Sequence, residues 1–103
     1  MNDIEEELAL TRQDIADVCD GIKNMLIEKN KAYGNSALDP VRIFSRASTV
    51  EQIKVRLDDK LSRLARGDAS AFGEDPAGDI MGYLVLLKVA EIRENRMGGK
   101  KDR

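Results

Sequence analysis

Two charged side chains stand where the pattern asks for apolar ones. Asp79 shares a helical stripe with Tyr83, Leu86 and Ala90, at the edge of the run "IMGYLVLLKVA". A carboxylate on a face meant for burial is costly unless a metal, a cation or a hydrogen bond compensates it. Asp75 lies four residues earlier, so both acids can converge on one face at a helix start. Such a pair suits an oxygen-liking metal. The plainer reading makes Asp75 an N-cap and leaves Asp79 in the first turn, where the helix dipole welcomes an anion. Lys60 is the second oddity, at the edge of the seam formed by Val50, Ile53, Leu57 and Leu64. Arg56 and Arg63 fall just outside that seam on the same flank, completing a basic strip. The strip faces either a ligand phosphate or a carboxylate on the third helix. Otherwise Lys60 lays its methylenes on the core and keeps its amine in water.

Asp58 and Asp59 point apart, Asp58 flanking the apolar stripe and Asp59 nearly opposite it. Val55 shares the side of Asp59, which gives this helix two contact faces, one intramolecular and one across a dimer. Adjacent acids of this kind are also ordinary solvated charge. The stretch "EKNKAYG" has Lys29 and Lys31 where a helix dipole favours cations, then Tyr33 and Gly34. It reads as a helix stop, or as one wall of a pocket for something phosphorylated. In that second reading Tyr33 offers a stacking face, and Gly34 lets the backbone approach closely. With no His in the chain, every His-based triad, zinc site or imidazole base is excluded. Chemistry here must run on carboxylates, amines and hydroxyls.

Those residues have to be positioned by helices. Leu8, Thr11, Ile15, Val18, Ile22 and Met25 step by three and four residues, with Cys19 and Leu26 widening the stripe, predicting an amphipathic helix from Asn2 or Asp3 to about Lys31. "YGNSALDP" is a loop, after which Asp39 and Pro40 look like the N-cap and first position of a short connecting helix through "VRIFS". Ser48 and Glu51 have capping-box spacing and open the next helix. Its buried face is Val50, Ile53, Leu57, Leu61 and Leu64, and Gly67 ends it. A small-residue loop spans Gly67–Glu74. The last helix opens at Asp75-Pro76, runs to about Arg96, and is apolar almost all round in its middle. The expectation is an all-α fold, three main helices plus the short connecting helix, forming an oligomeric bundle. One domain over 1–96 and a disordered basic tail over 97–103 complete it.

At 103 residues the chain is near the lower size limit for an independent core, so burying the third helix in a homodimer or higher homo-oligomer is a natural solution. A net charge of -2 argues against general nucleic-acid binding. The lone Cys19 has no internal partner, which fits a reducing cytoplasm. No apolar run reaches membrane-spanning length and no signal peptide precedes the first helix, so a cytoplasmic location is expected and no membrane.

Three segments taken in order, "EKNKAYGNSA", "IKVRLDDKLSRL" and "EDPAGDIMGYLVLL", resemble a phage and bacterial family, the nucleotide modification associated domain 1 proteins. The shared pattern is Lys-Asn-x-x-Tyr-Gly, then Arg-x-x-Asp-Lys-x-x-Arg, then Asp-x-x-x-Asp followed by an aromatic. It covers roughly residues 20 to 90. That family is similar in turn to all-α nucleotide pyrophosphatases of the MazG and dimeric dUTPase type, which hold Mg²⁺ with carboxylates from neighbouring helices. The resemblance implies a Mg²⁺-dependent (d)NTP pyrophosphatase or a nucleotide-binding relative. It assigns Asp59, Lys60 and Asp79 to catalysis, and Asp59, Asp75 and Asp79 to metal. Asn30, Tyr33 and Gly34 become a nucleotide-facing rim, with Arg56 and Arg63 as phosphate contacts. The ligand class is a nucleotide or modified nucleotide. The pyrophosphatases carry Glu-x-x-Glu and Glu-x-x-Asp motifs, whereas this chain has Asp58-Asp59 and a four-residue spacing from Asp75 to Asp79. The alternative is therefore a non-catalytic helical dimer, a phage accessory protein that binds a nucleotide or a host protein.

Overall fold

The structure, a computed structural model, describes residues 2–67, 73 and 75–101. It contains three helices, α1 Asp3–Tyr33, α2 Thr49–Arg66 and α3 Pro76–Lys101, and no strand among the described residues. The chain divides into two compact units, Met1–Ala32 and Tyr33–Arg103.

The first unit is α1. Asn2 opens it, its Oδ1 accepting from the Glu5 backbone N–H at 2.8 Å. Asp3, Glu5 and Glu6 fill the first turn and Lys31 the last, as the helix dipole favours. Local pairs decorate its surface, Lys23 with Asp20 at 3.4 Å and Lys31 with Glu28 at 3.3 Å. Exposed pairs of this kind contribute only about 0.2–0.5 kcal/mol each. No residue of α1 is buried.

In the second unit α2 and α3 pack on each other and make the core. Ser48 takes extended backbone as the N-cap of α2, and its Oγ accepts from the Glu51 N–H at 3.1 Å. The Glu51 carboxylate turns to Lys54 at 3.5 Å. Gly67 closes the helix with φ 73°, donating its N–H to the Arg63 and Leu64 carbonyls. A residue with a Cβ is disfavoured in that left-handed conformation. Asp75 caps α3, its Oδ1 accepting from the Gly78 N–H at 3.1 Å, and Pro76 takes the first helical position. Val50, Ile53, Leu57 and Ala90 are buried, and Leu38, Ile80, Tyr83, Leu86 and Leu87 pack against them. The α3 stripe read from sequence thus faces the core. On α2 the buried line runs through Val50, Ile53 and Leu57, while Leu61 and Leu64 are about half exposed, at 50% and 48%. They lie near the end of α2, next to the connection, where α3 is only beginning.

The connecting helix expected after Pro40 is not formed: residues 40–48 carry no helix. Arg42 accounts for the difference. Its guanidinium donates to the Ala47 carbonyl at 3.2 Å, the Pro40 carbonyl at 3.3 Å and Thr49 Oγ1 at 2.9 Å. Carbonyls engaged in this way hold the segment open as a loop. Thr49 Oγ1 also donates to the Leu38 carbonyl at 3.3 Å, in the turn that places Leu38 on the core. The last helix differs too. It continues to Lys101, past the end expected near Arg96 and into the tail expected to be disordered from 97. Glycine permits a left-handed stop but does not force one. Most of the Gly67–Glu74 loop, and residues 102–103 of the tail, lie outside the described residues.

Candidate functional site

Lys60 and Asp79 meet. Lys60 Nζ lies 3.2 Å from Asp79 Oδ2, with the side chains 18% and 30% exposed. Helix geometry explains the meeting. Only a short connection separates α2 from α3, so they form an antiparallel hairpin in which the last turns of α2 oppose the first turns of α3. Lys60 sits on the Ile53 side of the α2 seam, and Asp79 on the stripe that carries Tyr83, Leu86 and Ala90. Both charges are thus carried inward by the faces that bury the core. Neither is orphaned, because each compensates the other.

The other named acids have local employment. Asp59 pairs with Arg63 along the helix at 3.4 Å, with side chains 57% and 38% exposed respectively. Asp75 spends its carboxylate on the Gly78 N–H, and its carbonyl accepts from the Asp79 N–H at 2.9 Å. Asp58 and Val55 are exposed. Among the described residues no three acidic, Cys or His side chains gather as a metal group would need. Asp59 and Asp75 each have a partner of their own within the chain, and no metal step is derived from Asp59, Asp75 and Asp79.

The basic strip is present along the flank of α2. Arg56 is exposed, Lys60 half-buried, and Arg63 half-buried beside Asp59. A lysine ammonium has three donor protons, so Lys60 can hold Asp79 and still donate to an incoming phosphate oxygen. Tyr83, one turn beyond Asp79, is half-buried against the core cluster. Asn30 belongs to the first unit, while Tyr33 and Gly34 open the second. Tyr33 is 74% exposed, and Gly34 takes φ 69° immediately after α1. Gly34 does serve as helix punctuation, and Tyr33 leaves its ring open to solvent.

Arg42 and Thr49 escaped the sequence reading. Nothing in hydrophobic periodicity marks an arginine that ties a loop to the start of the next helix. The breaker-rich composition marks a loop only as far as Pro40. No helix among the described residues is long and apolar enough to cross a membrane. Compared with protein-family models, with curated proteins and with solved structures, the chain finds no match.

Proposed function

We propose that this protein is a helical nucleotide-binding protein of the phage nucleotide-metabolism type, with its phosphate site on the α2–α3 hairpin. The observation that carries the reading is the half-buried Lys60–Asp79 pair at 3.2 Å, which fixes a cation at the helix junction. Arg56 and Arg63 extend that charge along one flank of α2. The pair is also a clamp: Asp79 orients the Lys60 ammonium, and a bound phosphate competes for its remaining protons. Tyr33, with most of its ring exposed, is available for stacking on a base. The resemblance to nucleotide modification associated domain 1 proteins, carried by the three quoted segments, supports the same ligand class.

Binding without turnover is the form that the side-chain placement favours. A Mg²⁺-dependent pyrophosphatase needs several convergent carboxylates, and Asp59 and Asp75 are engaged elsewhere. As part of the same proposal the protein assembles as a homo-oligomer that covers the outer face of α3, where Leu84 and Val85 are 49% and 44% exposed. Thermal melting with a panel of nucleoside mono-, di- and triphosphates, each with and without Mg²⁺, tests the reading. A ligand that binds only the folded state at one hundred times its dissociation constant adds about 2.7 kcal/mol, a readily measured rise in midpoint. The expected result is a rise that grows with phosphate number and does not require Mg²⁺. A midpoint unmoved by every nucleotide at millimolar concentration removes the proposal, and a rise seen only with Mg²⁺ overturns the metal-free form of it.

A further inference from the structure

The segment leading into α2 carries two helix starts. Asp39 with Pro40 offers a cap and a first helical position, and Ser48 offers a second cap further on. No Gly or Pro lies between Val41 and Arg66, so nothing in the covalent chain breaks a helix begun at Pro40. The buried line of α2 also extends back in phase. Ile43 and Ala47 precede Val50, Ile53 and Leu57 by steps of four and three. The structure uses only the second start, with Ser48 capping a helix from Thr49. At the first, the Asp39 carboxylate has no hydrogen bond or ion pair among the described residues, and Ile43 lies outside the α2–α3 core.

Arg42 decides between the two. Its guanidinium holds the Ala47 carbonyl at 3.2 Å and the Thr49 hydroxyl at 2.9 Å, besides the Pro40 carbonyl. Gln52 Nε2 donates to the same Ala47 carbonyl at 2.8 Å. The Arg42 contacts to Ala47 and Thr49 cannot coexist with a helix from Pro40. In a helix the side chain of residue 42 leans toward the N-terminus, while Thr49 lies seven residues, about 10 Å, in the other direction. The hairpin has length for either form. Eleven residues back from Lys60 is Thr49, and eleven on from Asp79 is Ala90, so α2 starts beside Ala90. From there α3 continues to Lys101, and residues 40–48 of a longer α2 would run along that stretch.

We infer that Arg42 is a latch, holding α2 in a short form against a longer helix that starts at Pro40 and is capped by Asp39. The two forms bring different residues to the hairpin. In the short form Leu38, whose carbonyl accepts from Thr49 Oγ1, packs on the core. In the long form that tie is broken and Ile43 continues the line of Val50 and Ile53. The latch lies wholly within the second unit and does not rest on the nucleotide reading.

Backbone Cα chemical shifts of the full chain test the latch, in wild type and in Arg42→Met. Methionine removes the donors but has nearly the helix propensity of arginine. In wild type the shifts after Pro40 should turn helical only at Thr49. In Arg42→Met they should be helical across residues 41–48 as well, while those of Ile53 and Leu57 stay as in wild type and show the hairpin folded. Asp39→Ala should leave the wild-type shifts beyond residue 40 unchanged. In the Arg42→Met background it should cut the population of the new helix several-fold, because only the long form uses that cap. If Arg42→Met does not fold, Thr49→Val decides. It keeps Arg42 but removes the hydroxyl that joins it to Leu38, and should show the same helical shifts in part. Coil shifts at 41–48 in the folded variant, or a new helix indifferent to Asp39→Ala, overturn the inference.

Discussion

Lys60 and Asp79 each occupy a position that would be unfavourable alone, so their worth shows only in comparison. Removing one partner leaves a half-buried charge without its counterion, at a cost of about 1–2 kcal/mol given the partial exposure. Urea denaturation of Lys60→Met and of Asp79→Asn should each show that loss. The apolar swap Lys60→Met with Asp79→Leu should recover most of it, because two charges no longer need compensation. If the losses simply add in the swap, the two side chains are not coupled and the clamp is wrong. Asp75 belongs to a different class. As a helix cap it should lose about 1 kcal/mol on Asp75→Ala and almost nothing on Asp75→Asn, since Asn also accepts from the first-turn N–H. An Asp75→Asn variant that unfolds as readily as Asp75→Ala would mean that the charge, not the cap, is what matters there.

Within each helix the caps and the seams decide stability, and they are also what the sequence made legible. Ser48, Gly67 and Asp75-Pro76 could be placed from a few neighbouring residues because capping is local chemistry. Ile53, 1% exposed between the two helices, should lose about 2–4 kcal/mol on Ile53→Ala. Leu64→Ala should lose less than about 1 kcal/mol, although the two share one apolar stripe. Equal losses from both would mean that the connection end of α2 is covered in solution. Periodicity could not separate them, because it assigns a face without saying how far along the helix a partner extends. The loop after Pro40 was missed for a related reason. A proline after an aspartate permits a helix start, but Arg42 binds the carbonyls of residues 40 and 47. Side-chain reach of that kind leaves no periodic trace. Lys60 and Asp79 were legible as oddities on apolar faces, and a carboxylate on the third helix was one of the partners open to Lys60. Only the hairpin geometry brought these two together.

At the scale of the whole molecule, the outer face of α3 carries apolar side chains that its packing on α2 does not cover, Leu84 and Val85 among them, 49% and 44% exposed. Leu84→Asp places a charge on the outer face of α3 and should weaken any assembly made there, as light scattering can record. An assembly of unchanged mass would mean that α3 keeps its outer face in water. The nucleotide reading is likewise a property of the folded hairpin rather than of any one residue. It is tested most directly by calorimetric titration of a nucleoside triphosphate into wild type and into the Lys60→Met, Asp79→Leu swap, with circular dichroism to establish folding. Wild type should bind, and the folded swap variant should have lost the affinity. Equal affinity in the two folded proteins would contradict it.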